Sequence, residues 1–437
     1  MLTTILSRSV NSQALWAFFS FGVLWVCIGL AFHSTSTKVV TDHLQPHSQP
    51  SAMGFSNEAE GQKLVSANTK FAFELFKELS ASKNGGNVFL SPTSISLALA
   101  MTYLGARNDT AKQMAEVLKF SEVSAEELHS TYSELQQSLV SSENCTLNVA
   151  NKLYPQQDYT ILQEFLDATS KHYNTSVENV NYGDSETARA TINKWVESQT
   201  QNKIVDLLKP GTIDGLTRLV LVNAVYFKGD WDKKFEAEKT QEADFRMADG
   251  TTAKVPMMNI KKKFDYGICR ELKDVKAIRI PYAGGKISFV VLLPEHPDGI
   301  TDLENSLTVN HLVNYKQAFQ MMPNADVMLS LPRFKLEDSF DLGDTLTKQG
   351  MTDLFNDKAD LSGINGDRSL YISKVVHKSF IEVNEEGSEA AAATAAVATF
   401  RSRPRVFNFN ADHPFLFFIR DDVTGSIVFL GKYARPT

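Results

Sequence analysis

Apolar residues at Leu64, Ala67, Phe71, Leu75 and Leu79 recur at helical spacing and predict an amphipathic helix at the start of the main body. Ser124 to Glu127 reads as a capping box, and Leu128, Tyr132, Leu135 and Leu139 continue an apolar stripe behind it. Strand signals come later. Leu219 to Val222 leads into Asn223 to Phe227, Ile287 to Leu293 ends at Pro294, and Val327, Leu329 and Leu331 fall at period two. Phe415 to Ile419 and Ser426 to Leu430 flank the turn segment Asp421 to Gly425, the pattern of a hairpin of two buried strands. Helices early, strands late and no regular alternation predict an α+β fold.

The first sixty residues differ from this pattern. Ala14 to Phe32 carries no charge over 19 residues, after a single cation at Arg8, and a polar spacer follows from His33 to Glu60. This reads as a secretory signal peptide over 1–31, or as a signal anchor through 14–32, then a spacer over 32–60 and one domain over 61–437. Export predicts a secreted, extracellular protein, with Asn108, Asn144 and Asn174 as glycosylation candidates. Cys145 and Cys269 remain once Cys27 leaves with the leader, and the sequence does not decide whether they pair. The chain has 44 basic and 51 acidic residues, a net charge of −7, which does not favour nucleic acid. Cysteine and histidine spacing offers no metal site, no cofactor motif is present, and none of the common nucleophile, metal or phosphate motifs occurs. The chain is therefore not expected to be an enzyme.

One biased segment stands out, Glu385 to Arg405. Its interior, Glu389 to Ala396, has high helix propensity, yet it follows the alternating strand Ser379 to Val383 and precedes a charged stretch containing Pro404. So many alanines leave no large apolar face to bury. Small side chains suit a segment that later enters a tightly packed place, and local preference in conflict with its context marks a functional site.

At this point the sequence resembles the serpin family of serine protease inhibitors over essentially all of 61–437. The resemblance is carried by Asn87 to Ala100, Asn223 to Gly229 with Trp231, Asp360 to Gly363, Val376 to Lys378, His413 to Phe415 and above all the hinge Glu385 to Ala393. Ser66 to Thr69 and Asn384 to Gly387 are similar to the ovalbumin-like, leukocyte elastase inhibitor branch, which lacks a cleaved leader. The resemblance implies three β-sheets, about eight to nine helices and an exposed reactive-centre loop over 385–405. A protease attacks this loop as a substrate, and the severed loop then inserts into the main sheet as a new strand. The hinge residues are Glu385, Gly387, Ser388, Glu389, Ala390, Ala391, Ala392, Ala393 and Thr394. On insertion Ser388, Ala390, Ala392 and Thr394 share one face, and all are small and uncharged.

Counting seventeen residues from Glu385, as inhibitory members imply, places the bait bond at Arg401–Ser402, with Phe400 as its neighbour. A guanidinium at the bait suits a pocket floored by a carboxylate, so the expected partner is a trypsin-like serine protease, held covalently by a monomeric inhibitor. A non-inhibitory carrier, chaperone or binding protein is the alternative. Ser91, Ser94, Asn223 and His377 match the family's shutter, where polar groups govern opening of the main sheet, and Trp231 matches its breach. The helix around 125–139 contains no Lys or Arg, so no heparin acceleration is expected through it.

Overall fold

The computed structural model describes residues 54–140, 145–386 and 405–436. The body opens with α1 (Glu58–Ser82), whose N-cap Asn57 accepts from the Glu60 backbone N–H through its side chain. Phe55, ahead of the cap, is buried and lies where a Cβ on Gly61 would stand, so Gly61 admits the aromatic ring. β1 (Val88–Leu90) leads through Ser91 into α2 (Pro92–Tyr103), with Pro92 in its first turn and Ser91 as its cap. This helix is buried from Pro92 to Thr102, the mark of a helix surrounded by protein on all sides.

Three more helices follow, of which the sequence pattern predicts only the one at 128–139. They are α3 (Asn108–Val117), α4 (Leu128–Val140) and, beyond β2 (Cys145–Pro155), α5 (Gln163–Tyr173). The expected capping box at the start of α4 does not form. The Ser124 N–H donates to Glu60 Oε2 at 2.8 Å, and the Glu127 carboxylate accepts from Asn57 Nδ2 at 2.8 Å. Both groups are spent on tying this segment to the start of α1, and the helix begins at Leu128. α6 (Ser185–Gln199) completes the long helices. Among the described residues there are eleven α-helical segments, the last five of seven residues or fewer, which is why the count exceeds nine.

The remaining strands are β3 (Leu219–Gly229), β4 (Gln241–Arg246), β5 (Thr252–Cys269), β6 (Val275–Pro281), β7 (Ile287–Leu293), β8 (Met322–Pro332), β9 (Phe334–Asp341), β10 (Lys374–Val383), β11 (Phe407–Asn410), β12 (Phe415–Asp421) and β13 (Ile427–Tyr433). Among the described residues they pair into two hydrogen-bonded sheets, where the resemblance implies three. One is four-stranded in the order β2-β3-β10-β9. The other is nine-stranded in the order β1-β13-β12-β7-β6-β5-β8-β11, with β4 also paired to β5. The cause is β5, an 18-residue strand that pairs β4 through Thr252–Met257 and β6 through Asp265–Cys269, fusing what would be separate sheets. The hairpin expected near the C-terminus is β12 and β13, with Gly425 at φ 88° closing its turn.

The four-stranded sheet is covered on both faces, which explains the uninterrupted apolar run of β3. Val220, Val222, Ala224 and Tyr226 pack with Ala188, Ile192 and Val196 of α6, while Leu219, Leu221, Val225 and Phe227 join the main core. Strand alternation puts Asn223 on the main-core face of β3, and His377 with Ser379 on the corresponding face of β10.

Candidate functional site

Within the four-stranded sheet, β2 is antiparallel to β3 and β9 is antiparallel to β10, but β3 and β10 run parallel, in register from Lys374↔Val220 to Ile381↔Phe227. A segment leaving the end of β10 and folding back between β10 and β3 would run antiparallel to both. One parallel ladder would then become two antiparallel ladders, the slightly more stable pairing per residue. The chain after Val383 leads directly into the alanine-rich segment, which is thus next in sequence to this slot.

Asn223 and His377 are register partners across this slot. The Ser91 backbone N–H donates to His377 Nε2 at 3.2 Å, so Nε2 is the acceptor and Nδ1 carries the proton, which it donates to Asn223 Oδ1. With its oxygen so occupied, Asn223 donates through Nδ2 to Ser94 Oγ at 2.5 Å, to the Ser94 carbonyl at 3.2 Å and to Asn151 Oδ1. Ser91 Oγ donates to the Val428 carbonyl at 2.7 Å, and Ser379 Oγ to that of Phe89 at 2.8 Å. Ser91, Ser94, Asn223 and His377 thus form one cluster between the start of α2 and the two slot strands. Asn151 of β2 belongs to it although the sequence does not single it out. His377 is fully buried with Phe340 stacked at 6.4 Å, and burial pushes its pKa down to about 3. The donor at the N-terminal end of α2 opposes an imidazolium in the same sense. The His is a neutral connector whose hydrogen-bond partners are the Ser91 backbone N–H and the Asn223 amide oxygen, neither of them a nucleophile.

Trp231 and Glu385 meet where β10 ends. Trp231 is buried, stacks on Tyr282 at 4.4 Å, and donates through Nε1 to the Asn384 carbonyl at 2.8 Å. The Glu385 carbonyl accepts from the Phe235 N–H at 3.1 Å. Its carboxylate accepts from Thr240 Oγ1 at 2.7 Å and lies 3.5 Å from Arg333 Nη1. Two consecutive residues at the root of the loop are therefore tied down on backbone and side chain. Thr240 and Arg333 carry no local sequence signal, since each is distant along the chain from the group it holds. Gly387, Ser388, Glu389, Ala390, Ala391, Ala392, Ala393, Thr394, Phe400, Arg401 and Ser402 lie outside the described residues, as does Asn144.

The other candidates are dispersed. Asn108 opens α3 and donates from Nδ2 to Asp360 Oδ2 at 2.7 Å, and Asn174 ends α5 with φ 48°. Cys145 opens β2 and Cys269 closes β5, both buried, in different sheets and with no disulfide between them. Among the described residues no cluster of three or more His, Cys, Asp or Glu side chains could hold a metal.

Comparison with known proteins places this geometry. The family model Serpin (serine protease inhibitor) matches residues 66–436. The chain is 46% identical over 382 residues to the leukocyte elastase inhibitor of Homo sapiens, covering 86% of this chain and 100% of that protein. It is 45% identical over 393 residues to human Serpin B3, covering 85% of this chain and 99% of the relative. The crystal structure of uncleaved ovalbumin superposes with a TM-score of 0.78 at 34% identity, covering 86% of this chain and all of that one. For maspin the TM-score is 0.79 at 30% identity, with 86% and 100% covered.

The relatives correct the expected localisation. Leukocyte elastase inhibitors are matched over their whole length by 86% of this chain, and the family match starts only at residue 66. Likeness to the leukocyte elastase inhibitors, which are intracellular serpins, overturns the expected secreted or membrane-anchored location. Among the described residues no helix is long and apolar enough to cross a membrane. The α+β fold with its parallel slot, the family match along the body and the relatives named as inhibitors give one conclusion: the chain belongs to the serpin family and is a protease inhibitor rather than an enzyme.

Proposed function

We propose that the chain is a suicide-substrate inhibitor of trypsin-like serine proteases, with Arg401–Ser402 as the bait bond. The protease serine Oγ attacks the Arg401 carbonyl, the amide to Ser402 breaks, and the new amine leaves with the C-terminal fragment. The ester between Arg401 and the protease is then caught before water reaches it, because Ser388 to Thr394 insert between β10 and β3 and carry the acylated enzyme away from its starting place.

The observation that carries this reading is the parallel β3–β10 pair, next in sequence to a segment of small side chains. Insertion separates Asn223 from His377 by one further strand spacing, about 4.8 Å, so their hydrogen bond is a local barrier to premature opening. It also draws on the ties of Trp231 and Glu385, which hold the loop's root until cleavage releases the other end.

The test is incubation with trypsin followed by denaturing electrophoresis. The expected result is a complex that survives boiling in SDS and is lost in Arg401→Ala. Clean cleavage with no complex contradicts inhibition, and an Arg401→Ala variant that still inhibits trypsin at full rate contradicts the bait assignment.

A further inference from the structure

The chain re-enters the described structure at Arg405, whose guanidinium lies over the Phe407 ring at 4.9 Å, and Phe407 stacks on Tyr266 of β5 at 4.7 Å. β11 pairs with β8 and β8 with β5, so Asn408, Met328 and Lys261 stand side by side across three strands, as do Phe407, Val327 and Lys262. Lys261, Lys262 and Lys263 are consecutive and all exposed, although a strand covered on one face would alternate. Lys261 and Lys263 share the face of exposed Met328, whereas Lys262 shares that of buried Val327, at the rim of the core. Among the described residues none of the three forms an ion pair. Lys233 adds a fourth cation, donating to the Lys263 carbonyl at 2.9 Å with its Nζ 5.6 Å from the centre of the Phe264 ring. Met328, 48% exposed, supplies apolar surface beside Lys261. Two carboxylates are near, Asp326 opposite Lys263 and Asp232 at 3.9 Å from Lys233, leaving the patch strongly positive on a chain of net charge −7.

Distance decides what meets this patch. Arg405 lies four residue steps beyond Arg401, and four extended steps span at most ~14 Å. From Asn408 to Lys261 is two strand spacings, about 10 Å. A serine protease domain of ~220 residues is about 40 Å across by the usual size scaling. An enzyme attacking a bond tethered this closely to Arg405 therefore overlies the lysines.

We propose that Lys261, Lys262 and Lys263, with Lys233 and Arg405, form a second contact site for the docked protease, one that selects trypsin-like enzymes with an acidic surface beside the active-site cleft. The proposal rests on the reading of Arg401–Ser402 as the bait bond. Its physical basis is that unpaired rim charges act chiefly on the association rate and on its salt dependence. A complementary surface on the enzyme raises the encounter rate by ~10-fold or more at low salt, whereas the bait residue alone treats all Arg-cleaving enzymes alike. A polyanion is the other partner for a cluster of lysines. It is disfavoured by the shortness of the patch, by the two carboxylates within it and by the absence of Lys and Arg from α4.

The test compares the wild type with a Lys261→Glu/Lys262→Glu/Lys263→Glu variant, substituted only at exposed positions. The second-order rate of complex formation is measured with anionic and with cationic pancreatic trypsin, which share Arg specificity and differ in surface charge. The measurements are made at ~0.05 and ~0.5 M NaCl, where the Debye length falls from about 14 to about 4 Å. The expected result is a faster reaction of the wild type with the anionic enzyme and a fall of ~10-fold in the variant at low salt. The two proteins converge at high salt, with stoichiometry unchanged. Equal rates for both proteins with the anionic enzyme overturn the second site and leave the bait reading intact. No SDS-stable complex from either protein overturns both. Heparin-dependent acceleration that requires the three lysines, with unchanged heparin-free rates, assigns the patch to a polyanion and overturns the proposal.

Discussion

His377 makes the stability of the native sheet depend on pH in a way that can be worked from its surroundings. Its pKa is pushed down by burial from the ordinary 6.5 to about 3, so between these values the unfolded chain binds a proton that the native protein refuses. Stability rises with pH where the unfolded state binds more protons. The contribution is therefore intact above about 6.5 and is lost progressively as pH falls toward 3. At pH 5.0, ~1.5 pH units below the ordinary value, the loss is about 2 kcal/mol, at ~1.36 kcal/mol per unit. His129, half-buried, is pushed down to about 4 by burial and then by His172 and adds a loss of the same sign, but it is present in wild type and variant alike and cancels. The experiment is urea unfolding followed by tryptophan fluorescence at pH 7.5 and 5.0, for wild type and for His377→Gln. Gln has no titrating group, so the variant's decline across this range should be smaller by about 2 kcal/mol, whatever its absolute stability. An equal decline in both proteins would refute the reading that burial keeps His377 neutral.

Three further outcomes follow from the same contacts. Glu385→Gln weakens the charged contact to Arg333 while keeping an acceptor for Thr240, and Glu385→Lys removes both; the second should polymerise faster on native gels after mild heating, at a loss of about 1–3 kcal/mol. Trp231→Phe keeps the stack on Tyr282 but strands the Asn384 carbonyl, which should lower the thermal midpoint by an amount equivalent to about 1 kcal/mol. Thr394→Glu adds no tryptic site yet places a charge on the face that insertion buries, so cleavage should continue while the inhibitor consumed per trypsin trapped rises several-fold and the yield of SDS-stable complex falls in proportion.

Elements with a single strong period were legible in the sequence: the stripe of α1, the apolar run of β3, the alternation of β8 and the terminal hairpin all appear where the pattern puts them. β5 was not. Pro256 and the run Lys261 to Lys263 break any strand pattern, and its identity as one continuous strand depends on partners on both sides along its length. The false capping box at α4 has a related cause. Ser124 and Glu127 have the right spacing but are claimed by Glu60 and Asn57, which lie some seventy residues earlier. At the site, His377 and Asn223 were legible as polar residues in apolar strands, and the slot between them was not, because strand order and direction are properties of the whole sheet. Asn151, Thr240 and Arg333 act only through residues remote in sequence. The location was not legible either: an apolar run over 14–32 reports hydrophobicity, and likeness to the intracellular leukocyte elastase inhibitors speaks against export.

The central claim is that trapping requires β3 and β10 to part. Val222 and Val376 are register partners across that slot, and neighbouring strand positions fall within the roughly 4.4–6.8 Å Cα separation that a disulfide spans. A Val222→Cys/Val376→Cys variant should, when oxidised, be cleaved by trypsin at Arg401 without forming the SDS-stable complex, and should regain it on reduction. An oxidised, crosslinked variant that still traps trypsin as well as its reduced form would contradict insertion between these strands.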